Sequence, residues 1–132
     1  MNVSESARMH ELLEKDRFAA ALGAELVEAG RDRVVVRVDL ERRHLDASGR
    51  VSAGAMFSLA DCVMSLISNA AHTSVAVATH FVLGRTVERA HRLEAIGRPG
   101  LPRAGRPATW LVTVEADGQE VATFTGTTLQ LP

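Results

Sequence analysis

The chain has 132 residues, a formal net charge of −1, and 46% hydrophobic against 23% charged residues. That length predicts one domain over residues 1–132 with a core burying about two-thirds of the unfolded chain's surface, and the near-neutral charge gives no footprint for nucleic acid or a membrane surface. The single cysteine, Cys62, excludes an internal disulfide, and the polar start MNVSESARMHELLEKD has no apolar signal core, so a cytoplasmic protein is expected.

Residues 1–21 are expected to form an N-terminal helix. Between Ser4 and Ala21 a loose apolar stripe runs through Met9, Leu12, Leu13 and Phe18, and Gly23 is placed to end it. Glu25 to Ala29 reads as a short strand with its turn at Gly30–Arg33. Arg33 to Leu40 is the clearest strand, with Val34, Val36, Val38 and Leu40 on one face and Arg33, Arg37 and Asp39 on the other. A polar loop, ERRHLDASGRV, follows.

Residues 52–71, SAGAMFSLADCVMSLISNAA, predict a long central helix capped by Ser52. The stretch is nearly all apolar or small, so it is expected to be buried; Asp61, Asn69 and four serines speak against a membrane span. Its small residues, from Ala53 to Ser68, would let it lie close to a sheet. Thr73 to Leu83 reads as a mostly buried strand through Val75, Val77, Phe81 and Val82, and Arg92 to Ile96 as a short one. Gly97 to Pro107 holds three of the four prolines and reads as a loop. Thr109–Ala116 and Glu120–Leu129 alternate and are joined by Asp117-Gly118, a hairpin signal. One long helix among antiparallel strands predicts an α+β fold, a curved sheet wrapped around the helix.

Asp61 is the chemically pointed residue. An unpaired carboxylate in an apolar interior costs several kcal/mol, so it is either tied to one of the many arginines or used. Ser58, Ser65 and Ser68 share its helix face, either as small packing groups or as supports. At the helix start, the N–H groups of Ala53, Gly54 and Ala55 lie at the positive end of the helix dipole, where they can hold an anion or a developing oxyanion. Ala53 and Asp61 are about 12 Å apart along one helix, too far to share a carbonyl. A second copy of the chain could bring them together.

The run GRVSAGAMFSLAD, with Gly49, Gly54 and Phe57 to Asp61, resembles the motif of hotdog-fold acyl-CoA thioesterases of the phenylacetate-degradation type (PaaI-like) and their 4-hydroxybenzoyl-CoA thioesterase relatives. That motif runs Gly, two residues, His-Gly-Gly, then an apolar helix leading to Asp or Glu. The resemblance implies a hotdog fold and hydrolysis of an acyl-CoA or acyl-carrier thioester, with coenzyme A only as part of the substrate and no other cofactor. It also implies a homodimer with a continuous sheet and two shared sites, often paired again into a tetramer.

Carried over by position, the resemblance makes Asp61 the nucleophile or general base and the Ala53 or Gly54 amide the carbonyl polariser. Thr79 would help to position water, and Ser65 would support Asp61. Arg89 falls near the family's Arg-Pro position. Arg85 and other arginines of residues 85–106 read either as a solvated surface or as a coenzyme A phosphate rim, with His80 and Phe81 as pocket-lining candidates. Ser52 and Ala53 stand where the motif has His-Gly, and Asp46 stands where relatives carry Asn or Gln. A second carboxylate converging on Asp61 would raise one pKa. These departures leave a second reading open, a non-catalytic acyl-CoA or lipid-binding protein. His44 reads as a solvated loop histidine and Cys62 as a small core residue. The five histidines show no metal-ligand spacing.

Overall fold

Alternating valines build the floor of the structure. Val34, Val36 and Val38 are almost fully buried and face one long helix, joined from neighbouring strands by Leu93, Ala95, Val112, Val114 and Phe124. The computed structural model describes residues 3–101 and 107–132. Its elements are α1 (Val3–Lys15), α2 (Arg17–Leu22), β1 (Glu25–Ala29), β2 (Val34–Asp39), a short 3-10 turn (Arg42–His44), α3 (Ala53–Ser68), β3 (Ser74–Leu83), β4 (Arg92–Pro99), β5 (Ala108–Ala116) and β6 (Gln119–Gln130). The six strands form one antiparallel sheet in the order β1-β2-β4-β5-β6-β3, with α3 against one face. This is the expected α+β hotdog architecture.

The β5–β6 hairpin closes through Asp117 (φ 47°) and Gly118 (φ 84°), between the paired residues Ala116 and Gln119. Positive φ at both central positions is the turn whose twist matches that of the strands. The Asp117 carboxylate also accepts from the His91 and Arg92 N–H groups at 3.0–3.1 Å, tying the start of β4 to the hairpin.

Three expectations need correction. The N-terminal helix is two helices. Asp16 leaves helical geometry (φ −81°, ψ 103°), and its Oδ1 accepts from the Ala19 N–H at 2.9 Å, because an Asp side chain competes for nearby backbone donors and starts helices better than it continues them. β3 is not buried. It is a sheet edge paired only with β6, so Val75 (45%), Val77 (53%), Val82 (46%) and Leu83 (42%) keep much of their surface in this chain. β4 runs on through Gly97 to Pro99, where a loop was expected, because Gly97 pairs with both Val34 and Val112. The remainder of that expected loop includes Arg103 and Arg106, which lie outside the described residues.

The intimacy of helix and sheet also has an unexpected source. Of the helix's small residues, Ala53, Gly54 and Ser65 are exposed, and only Ala55, Ala60 and Ser68 are buried. The close approach comes from the sheet. A Cβ on Gly97 would fall inside the Val63 side chain, and one on Gly126 would overlap the Met64 sulfur and come within 3.1 Å of the Phe124 ring. Met64 is flexible and can yield, whereas Val63 is β-branched and stiff. Gly97→Ala is therefore expected to cost about 1–3 kcal/mol in urea unfolding, more than Gly126→Ala. Val63→Ala should cost less in the Gly97→Ala background than in wild type.

Candidate active site

Helix α3 is buried on most of its circumference but not all. Ala53, Gly54 and Ser65 are exposed, and Phe57, Ser58 and Asp61 are half-buried, so positions 54, 58, 61 and 65 trace one open stripe. Beside it, the Phe57 ring meets Phe81 of β3 edge-on at 5.8 Å between centroids and Phe124 of β6 at 5.4 Å. The stripe thus runs beside the sheet's β3 side.

The start of α3 is set by Ser52, which is extended (φ −62°, ψ 133°). Its Oγ accepts from the Gly54 N–H at 3.1 Å, and its carbonyl accepts from the Ala55 and Met56 N–H groups. Gly54 is therefore already capped within the chain. Among the described residues the Ala53 N–H has no acceptor, which leaves it as the available donor at the exposed, positive end of the helix.

Asp61 has no ion-pair or hydrogen-bond partner among the described residues, so none of the described arginines ties it down. Burial pushes its carboxyl pKa above the ordinary 3.8, and the nearby Asp16 carboxylate adds to the rise. Asp16 was missed in the sequence reading; its signal was an aspartate ahead of the apolar run Phe18–Leu22, the mark of a second helix start. Within this chain the carboxylate that acts on Asp61 is Asp16, not Asp46. Asp46 is exposed, and its Oδ1 accepts from Ser48 N, Ser48 Oγ and Arg50 N, contacts that hold its pKa below the ordinary range. The loop ASGR folds back on this aspartate and consumes it as a turn. Cys62, next to Asp61, is buried, and burial first, then Asp16 and Asp61, pushes its thiol up to about 12.

The other candidates fall in separate places. Thr79 and His80 are exposed on the β3 edge, with Thr79 in register with Gly126, and Phe81 is half-buried against Phe57. His80 is thus not in a buried strand. Arg85 and Arg89 share a shallow cleft of about 330 Å³ beyond the end of β3; Arg85 donates to Gln119 Oε1 at 3.3 Å, and Arg89 takes a left-handed φ of 52°. A cavity of about 490 Å³ lies at the other end of α3, between Met9, Ile67, Ala70, Trp110 and Thr128. His44 is not solvated: it is 3% exposed and hydrogen-bonded at both ring nitrogens. Among the described residues no cluster of metal-capable side chains forms, and no helix is long and apolar enough to cross a membrane.

A protein of Deinococcus radiodurans carrying an inferred esterase name is 33% identical over 113 residues, which span 83% of this chain and 76% of that protein. The solved structure of a mutant of the phenylacetic acid degradation protein PaaI from Thermus thermophilus is 32% identical, covers 88% of this chain and all of its own, and superposes with a TM-score of 0.82. The chain belongs to the PaaI-like hotdog thioesterases. The Escherichia coli PaaI structure shares the fold at a TM-score of 0.89 over 99% of this chain and 97% of its own, at 21% identity. No protein-family profile matches the chain.

Within this PaaI-like chain the Asp61 environment is directly measurable. A carboxyl-carbon NMR titration should place its midpoint above 3.8, and Asp16→Asn, which keeps an N-cap acceptor, should move it down. A raised folded-state pKa means the native state binds more protons than the unfolded one, so stability falls as pH rises through the Asp61 titration. Asp61→Asn is therefore expected to melt higher than wild type at neutral pH, with the gain shrinking as pH drops through that window.

Proposed function

We propose that the protein hydrolyses an acyl-CoA thioester at a site built by two copies of the chain, Asp61 coming from one and the Ala53 amide from the other. The observation that carries this reading is Asp61 itself: a half-buried carboxylate without a partner among the described residues, on an open stripe of the central helix, with a raised pKa. A carboxylate left in that state costs stability and suits proton abstraction near neutral pH.

The β3 edge supports the pairing. At the opposite edge β1 has five residues, two of them glutamates, and an irregularity between Leu26 and Glu28, all features that discourage a further strand. β3 has an irregularity of its own, between Ala76 and Ala78, but it is twice as long and, in SVAVATHFVL, carries neither a Lys, Arg, Asp or Glu nor a proline. A long apolar edge without charge or proline is a template for a second strand, and a second β3 is the symmetric choice. Two copies joined there would extend the sheet and set their helices side by side.

In the proposed reaction the thioester carbonyl oxygen accepts from the Ala53 N–H. Asp61 takes a proton from a water whose oxygen attacks the carbonyl carbon, and the amide and helix dipole stabilise the resulting oxyanion. Collapse breaks the carbon–sulfur bond, and the proton held by Asp61 passes to the departing thiolate, giving a free thiol and a carboxylic acid. Attack by the Asp61 carboxylate itself, through an anhydride that water then opens, uses the same groups. Thr79 on the joined edge is the candidate for holding the water, and the Arg85–Arg89 cleft the candidate for phosphate. A second reading, binding without hydrolysis, has one observation in its favour: Ser52 Oγ already occupies the Gly54 amide.

A thiol-release assay over acyl-CoAs of different chain length and aromaticity separates the two readings, turnover by wild type favouring the enzyme. Asp61→Asn should then lose about a hundredfold or more in kcat. A complementation test addresses the shared site. Ala53→Pro deletes only the N–H at the first helical position, where proline fits and where Ser52 is already extended. Mixing this variant with Asp61→Asn, both inactive alone, should restore up to about a quarter of wild-type activity, since half of the randomly formed dimers carry one intact site of two. A site confined to one chain would restore none.

A further inference from the structure

The element joining α2, the loop before α3 and the start of α3 is a single buried side chain, His44. A backbone N–H can only donate and a carbonyl can only accept, so the partners fix the ring's tautomer. The Glu41 N–H donates to Nδ1 at 2.9 Å, and the protonated Nε2 donates to the Leu22 carbonyl at 2.7 Å. The His44 carbonyl in turn accepts from the Ser52 N–H at 2.8 Å, one residue before the first helical amide of α3.

The far end of this arrangement is complete as well. The last four residues of a helix leave their carbonyls without intrahelical partners. In α2, Gly23 N and Ala24 N satisfy the carbonyls of Ala19 and Ala20, Arg43 Nη1 donates to that of Ala21, and His44 Nε2 donates to that of Leu22. The 3-10 turn thus caps α2 with two consecutive side chains and holds the Ser52 corner of α3 with the backbone of one of them. At its other end α2 begins at Asp16, the carboxylate felt by Asp61.

We propose that His44 is a positioning residue for the hydrolytic site. It does not touch substrate; it fixes where the Ala53 amide points by fastening Ser52 to the end of α2. The inference rests on the thioesterase reading for its kinetic consequence and on the hydrogen bonds alone for its structural one. Misplacing a catalytic donor by an ångström lowers turnover more than binding.

Three measurements test it. In wild-type protein, ring 15N NMR should show His44 as the Nε2–H tautomer. His44→Phe fills the buried space but makes neither bond. It should exchange the amides of residues 52–55 faster and cut kcat about tenfold or more, with KM within about threefold. His44→Gln, whose side-chain NH2 can reach the Leu22 carbonyl and whose oxygen can accept from Glu41, should recover both. An Nδ1–H tautomer, unchanged exchange at these amides, or unchanged kcat in His44→Phe overturns the proposal. Should His44→Phe not fold, the tautomer and the Gln variant decide it. Were wild type to hydrolyse no acyl-CoA, the tautomer and exchange results would still judge His44, separating failure of this proposal from failure of the thioesterase reading.

Discussion

The structure depends on how closely α3 lies on its sheet. Gly97 and Gly126 remove the two Cβ atoms that would hold the helix off, and Val63 and Met64 fill the space. Tight contact on that side buries Met56, Leu59, Ala60 and Val63 completely. It also decides which residues are left over. A helix seated this deeply turns only a narrow stripe outward, and Asp61 sits on that stripe with enough burial to feel the protein interior and enough access to act. The partial burial of the carboxylate thus goes with the seating of α3 against β4 and β6.

Much of this was legible from residue types alone. The valine alternation of β2, the Asp117-Gly118 turn and the length and apolarity of α3 each follow from a local rule, and the motif spacing through Asp61 pointed to the fold. What was not legible depended on partners distant in sequence. The β3 strand has a core-like composition, and nothing within Ser74–Leu83 says that it ends the sheet; that follows from strand order. Residues Gly97 to Pro99 read as loop because proline and glycine usually mark one, yet Gly97 is in a strand because Val63 needs the space. The surroundings of Asp46 and His44 were likewise hidden. The aspartate accepts from its own turn at Ser48 and Arg50, and the histidine that looked solvated is locked between Glu41 and Leu22, twenty-two residues upstream of it.

The electrostatics around Asp61 run against stability. Asp61 has neither counter-ion nor donor among the described residues, and Asp16 makes its charge less favourable still. A protein selected only to stay folded would place an apolar residue or an amide there. Asp16 starts α2, and its charge acts at a distance on a residue forty-five positions later. One side chain thereby serves the local backbone and the site together.

Cys62 carries a separate consequence. A thioesterase releases a thiol at every turnover, and thiols oxidise to disulfides that exchange with any exposed protein thiolate. The one cysteine of this chain adjoins Asp61, but burial and two neighbouring carboxylates hold it protonated up to about 12. It offers no thiolate to attack a disulfide. The surroundings of Asp61 thus present no reactive thiol to disulfides formed from a released thiol.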